Sequence, residues 1–131
     1  MADLHKCSLE ELSAALRRSW MRETAAPGSQ NAWSATNPAW GQCAVTALIV
    51  HDLFGGEILR TEVPGYGSHY YNRLADGREI DLTREQFPAD VTVPPGQSAP
   101  RERLLSSDRA RAAQTEERYR RLAQRLFEEM S

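Results

Sequence analysis

Three side chains in this sequence, Cys43, His69 and Asp81, are of the types that thiol-based acyl chemistry requires. A cysteine at a helix N-terminus feels the positive end of the helix dipole, which favours thiolate over thiol, and a neighbouring imidazole can hold the pair as thiolate and imidazolium. A carboxylate on the far side of the ring fixes its tautomer. In chain order the three would be nucleophile, base and orienter. Residue type and spacing are of modest specificity by themselves. A free cysteine is most often a small buried core residue, a strand histidine is often a satisfied structural one, and an aspartate at a strand end commonly holds a turn.

The other chemistry-bearing residues are less suited. His51 lies about 12 Å further along the helix that would carry Cys43, at ~1.5 Å per residue, and is too remote to act as its base. His5 and Cys7 sit at a chain end expected to fray. Two cysteines make no disulfide framework, and no CxxC or zinc-finger spacing occurs. A metal held by Cys43, His69 and Asp81 would lack a fourth protein ligand. No metal and no cofactor are expected.

The elements must bring the three residues together. Glu57 to Val63, Ser68 to Leu74 and Arg78 to Thr83 read as strands, with turns at Pro64-Gly65-Tyr66-Gly67 and around Ala75-Asp76-Gly77. A two-residue turn at Asp76-Gly77 would mix polar and apolar residues on both faces of the ribbon. A three-residue loop instead pairs Arg73 with Glu79, Asn72 with Ile80 and Tyr71 with Asp81. Tyr70, Leu74, Ile80 and Leu82 then share one face, and His69, Tyr71, Arg73, Glu79 and Asp81 the other. His69 and Asp81 become diagonal neighbours, about 7 to 8 Å apart at the backbone and within side-chain reach.

Residues from Cys43 to Val50 are apolar on nearly every side, the pattern of a helix buried all round, with Gly55-Gly56 as its stop. Asn37 and Pro38 could open it, and Gly41 could delay its start. Cys43 therefore falls in its first turns. Ser8-Leu9-Glu10-Glu11 reads as a capping box for a first helix carrying Leu12, Leu16 and Trp20. Residues 22–37 read as a loop, and 88–100, with four prolines, as an irregular connection. Ser107 or Asp108 would cap an amphipathic helix over 107–130.

The 131 residues, 40% of them hydrophobic, suit one domain with one core and an α+β arrangement, a buried central helix on a small antiparallel sheet with flanking terminal helices. Sixteen basic and eighteen acidic residues leave a formal charge of −2, which offers nucleic acid and membrane surfaces no footprint. The first twenty residues lack a signal-peptide core, and no stretch approaches the ~20 apolar residues of a membrane span, so a cytoplasmic location is expected.

The strings WGQCAVTALIV (40–50), GGEILRT (55–61), SHYYNRL (68–74) and EIDLTREQF (79–87), with the Arg- and Glu-rich C-terminal region, resemble the YunG family of small bacterial proteins from Trp20 onward. Such proteins look like compact relatives of the papain and transglutaminase superfamily. The resemblance implies a papain-like or transglutaminase-like core with Cys43 as nucleophile, His69 as base and Asp81 as acid. One feature departs from that pattern: Gln42 adjoins the cysteine, whereas papain-type enzymes place their oxyanion glutamine several residues earlier. The Cys43 amide is then the first oxyanion donor, with Gln42, Asn37 or the Trp40 indole as candidates for the second. Trp33, Tyr66 and Tyr71, with Tyr70, are candidates for an aromatic substrate cleft. The expected activity is hydrolysis or transfer of an amide, ester or thioester acyl group from a small molecule or peptide. The alternative is a non-catalytic binding or redox-sensing protein on a degenerate enzyme fold.

Overall fold

In the computed structural model, which describes residues 7–131, the Ser8 capping box forms as expected. Ser8 Oγ accepts the Glu11 N–H, and Glu11 accepts the Ser8 N–H, opening helix α1 over Leu9–Ser19. Leu12 and Leu16 are fully buried, against Leu122 and Leu126 of the C-terminal helix. Each such leucine contributes ~1.5–3 kcal/mol relative to exposure. His5 lies outside the described residues.

Helix α2 runs Cys43–Phe54, and Val45 through Val50 are buried without interruption, as the all-round apolar pattern requires. Hydrogen bonds from the end of α1 and the sheet help fix it: Trp20 Nε1 donates to Thr46 Oγ1 at 3.0 Å, and Asn72 Nδ2 donates to the Ala47 carbonyl at 3.1 Å. At its end Gly56 has φ +77°, and a Cβ there would fall 2.2 Å from the Arg73 carbonyl oxygen, so only glycine fits.

The sheet is antiparallel with order β3-β2-β1-β4, where β1 is Glu57–Val63, β2 is Gly67–Arg73, β3 is Glu79–Ile80 and β4 is Gln97–Ala99. The β2–β3 register is the one a three-residue loop requires, with Asn72 opposite Ile80 and Arg73 opposite Glu79. Arg73 and Glu79 form an ion pair at 3.3 Å. Strand β3 is shorter than the expected 78–83: the Asp81 carboxylate accepts from the Thr83 N–H and hydroxyl, which turns the chain into a 3-10 turn at Arg84–Gln86.

Three further segments differ from their sequence reading. Residues 88–100 contain β4, which covers the free edge of β1 and pairs Ile58 with Ala99; the flanking Pro95 and Pro100 lack the N–H to extend it. Residues 22–37 hold two 3-10 turns, Arg22–Thr24 and Pro27–Ser29, rather than a plain loop. The expected helix over 107–130 is two, α4 Asp108–Ala112 and α5 Thr115–Met130, and a further helix, α3 Arg101–Ser106, precedes them. Ser107 does cap α4, through the Ala110 N–H. The break before α5 falls at Gln114, which adopts φ +55°, and Arg118 Nε donates to the Ala113 carbonyl that the break leaves free. Among the described residues no helix is long and apolar enough to cross a membrane.

Residues 22–29 grip the chain just before α2. The Gly41 carbonyl accepts the Ala26 N–H at 2.9 Å. Gly41 has φ +75°, and a Cβ on it would lie 2.6 Å from Ser29 Cβ. Gly41→Ala should therefore destabilise the fold by about 1–3 kcal/mol in urea titration, whereas Gly28→Ala, within the gripping segment but with open space around it, should stay within about 0.5 kcal/mol. Equal effects would contradict this account of how the segment is held.

Candidate active site

Cys43 is the first residue of α2, so its amide belongs to the helix turn whose N–H groups have no intrahelical acceptor. Gln42, not Asn37, occupies the position before it. His69 stands in the middle of β2 on the face opposite Asn72, which is turned towards α2. Its ring is fully buried, stacked at 5.8 Å on Tyr71 and met edge-on by Phe87 at 5.0 Å.

Asp81 lies just beyond β3, and the register carries its carboxylate to the ring: Oδ2 is 2.7 Å from His69 Nε2. Its other oxygen, Oδ1, holds the turn at Thr83. One carboxylate thus fills both roles that the sequence left open for it. The second ring nitrogen, Nδ1, is buried with no hydrogen bond formed. Cys43 and His69 line the same cleft, of about 680 Å³. Burial works to lower the His69 pKa, but the hydrogen bond it donates to Asp81 and the nearby Cys43 sulfur push it up to about 9. The ring is therefore an imidazolium at neutral pH.

The oxyanion candidates separate. Gln42 is fully buried and turned into the 22–29 segment, accepting from Thr24 Oγ1 at 2.8 Å and donating to the Met21 carbonyl at 2.9 Å. Asn37 Nδ2 donates to the Gln86 carbonyl at 3.2 Å. Neither is on the cleft wall. Trp40 is, and its indole Nε1 is buried without a partner. Of the aromatic candidates, Tyr66 lines the cleft at 41% exposure, edge-on to Trp40, and Tyr70 lines it too. Trp33 is away from the wall, its Nε1 bonded to the Pro38 carbonyl; Tyr71 backs His69 from behind, its hydroxyl accepting the Gly96 N–H. His51 bonds Arg101 at 2.9 Å, and Cys7 packs beside the α1 core.

Several wall residues were not singled out from the sequence. Gln86 Oε1 accepts the Gly41 N–H at 3.2 Å, tying the turn after Asp81 to the turn before Cys43. Arg118 is on the wall and is only 6% exposed. Its position in an amphipathic helix gave no signal, because it read as part of the charged outer face. Among the described residues no group of three or more His, Cys, Asp or Glu is placed to hold a metal ion.

Because the folded-state pKa of His69 lies above its ordinary 6.5, its charged form stabilises the fold fully below pH ~6.5, and that contribution is lost as the pH rises through 9. Imidazole NMR should show His69 titrating near pH 9, and in Asp81→Asn below about pH 8. The same midpoint in both proteins would contradict the assigned cause.

The family profile described as "YunG protein" matches residues 8–131. The chain is 32% identical over 123 residues to "Uncharacterized protein YunG" of Bacillus subtilis (strain 168), an alignment covering 94% of this chain and 95% of that one. No solved structure matches significantly. Profile and relative both match almost the whole length, and on that basis the chain belongs to the YunG family.

Proposed function

We propose that this protein is a small cysteine-dependent enzyme that forms an acyl-enzyme on Cys43, with His69 as its acid and base and Asp81 holding the ring. One observation carries the reading. A fully buried imidazole has one nitrogen committed to a carboxylate at 2.7 Å and the other left without a bond, on the wall of a cleft that also holds a helix-N-terminal cysteine. Burying an unpartnered ring nitrogen costs about 1–3 kcal/mol, a cost relieved when a thiolate or a substrate atom meets it.

The chemistry follows from the charges. The reactive form is the pair of thiolate and imidazolium, which a helix N-terminus and a charged neighbouring ring favour over thiol and neutral imidazole. The Cys43 sulfur adds to the substrate carbonyl, whose oxygen takes the negative charge. The Cys43 N–H and the unpartnered Trp40 indole N–H are the donors available to it. The carbon–heteroatom bond then breaks, the leaving amine, alcohol or thiol taking the His69 proton. Water or an amine, giving a proton back to His69, releases the acyl group and restores the thiolate.

A helix-borne cysteine followed by a sheet histidine and an acid is the order of the papain and transglutaminase superfamily, and we read the fold as a compact relative of it. The substrate is a small molecule or a short peptide, a size that suits the cleft. We place the protein in a reducing cytoplasm, which would keep Cys43 as a thiol.

Alkylation by iodoacetamide, followed at Cys43 by peptide mass spectrometry, tests whether the thiol is activated. Near pH 6 Cys43 should react at least about tenfold faster than free cysteine, and His69→Ala should remove that advantage. A Cys43 that reacts like free cysteine in both proteins would overturn the enzyme reading in favour of a binding or redox role.

A further inference from the structure

The cleft that holds Cys43 is lined by four arginines, Arg60, Arg103, Arg109 and Arg118, and by no aspartate or glutamate. That local excess stands against a chain whose net charge is −2. The outermost cations converge: Arg60 Nη2 and Arg109 Nη1 both reach Ser68 Oγ, at 2.8 and 3.4 Å. Glu62 is 2.5 Å from Arg60, outside the cleft wall, and offsets one of them. Among the described residues Arg103 and Arg109 have no ion-pair partner.

Arg118 differs from the others in being buried. Its three hydrogen bonds go to neutral acceptors, the Ala113 and Thr24 carbonyls at 2.9 and 3.0 Å and Thr115 Oγ1 at 3.2 Å. Those use three of the five N–H donors of a guanidinium, and no carboxylate meets it. Arg118 and Cys43 line the same cleft, so a negative charge at the sulfur would be felt by the guanidinium. A buried cation without a counter-ion is costly, and a planar guanidinium with spare donors suits the two oxygens of an anion.

We propose that the substrate of this cleft is anionic, carrying a carboxylate or phosphate within a few bonds of the carbonyl that Cys43 attacks, with Arg118 as its anchor. Arg60, Arg103 and Arg109 draw it in. This rests on the acyl-enzyme reading for the reaction, but not for the binding. A cleft walled by charges of one sign raises the local concentration and encounter rate of the opposite sign by about 10- to 1,000-fold. Hydrophobic acyl chains and cationic peptides are correspondingly poor ligands.

Two alkylating agents separate the questions. Iodoacetamide is neutral and reads the nucleophile; iodoacetate reacts at the same sulfur and adds a carboxylate one carbon from the reacting atom. The ratio of their rates at Cys43, divided by the same ratio for free cysteine, reads anion selection alone. It should exceed about ten in low salt, collapse as ionic strength rises, and fall towards one in Arg118→Gln. Arg109→Gln, at an exposed position, should lower it less, and keeps the test readable if Arg118→Gln does not fold. Protection by acetate in preference to inorganic phosphate, or the reverse, identifies the anion. A normalised ratio near one in the unaltered protein, or one indifferent to both substitutions, overturns the proposal even if iodoacetamide shows an activated thiol.

Discussion

The Asp81 carboxylate is the point on which the site hangs, because it closes a strand and holds a buried imidazole with its two oxygens. Oδ1 bonds Thr83 and turns the chain out of the sheet; Oδ2 bonds His69 Nε2. Without that second contact a fully buried histidine would be driven towards its neutral form by desolvation. With it, and with the Cys43 sulfur nearby, the ring keeps its proton. The turn that follows delivers Gln86 to the Gly41 amide and Phe87 to the His69 ring edge. The contact that turns the chain and the contact that holds the imidazole thus come from one carboxylate.

Cys43 is held by a different device. The helix that bears it is apolar on all faces and so is fixed by burial, but its first residue is placed by the polar segment before it. Gln42 is clamped by Thr24 and Met21, Gly41 by Ala26 and Gln86. Thr24 also receives Arg118 on its carbonyl, so the clamp, the break before α5 and the buried cation form one network. Disturbing any of them moves the thiol relative to the imidazole, and small displacements of that kind weigh heavily on catalysis.

Much of this was legible in the sequence where one physical constraint dominated. Alternation of side chains fixed the β2–β3 register, and so the pairing of His69 with Asp81, because any slip would invert every face. The buried helix and the Ser8 capping box were equally plain. What stayed hidden depends on distant partners. Strand β4 is three residues between prolines, and only the open edge of β1 makes it a strand. The break at Gln114 has no glycine or proline to announce it; the Ala113 carbonyl it frees is answered by Arg118, which makes it tolerable. Gln42 was a candidate oxyanion donor by adjacency, yet adjacency on a helix entrance says nothing of side-chain direction, and it turns into the 22–29 segment. Trp40, from the same short list, was left with an unpaired donor.

The central claim is that Cys43 carries an acyl group during turnover. Intact-mass measurement after incubating the full chain with cell extract or with simple anionic thioesters tests it most directly. The account predicts a mass increment on Cys43 that decays when the acyl donor is removed, and that fails to form in His69→Ala. A protein that gains no adduct on Cys43 from any acyl donor, or gains it equally without His69, contradicts it.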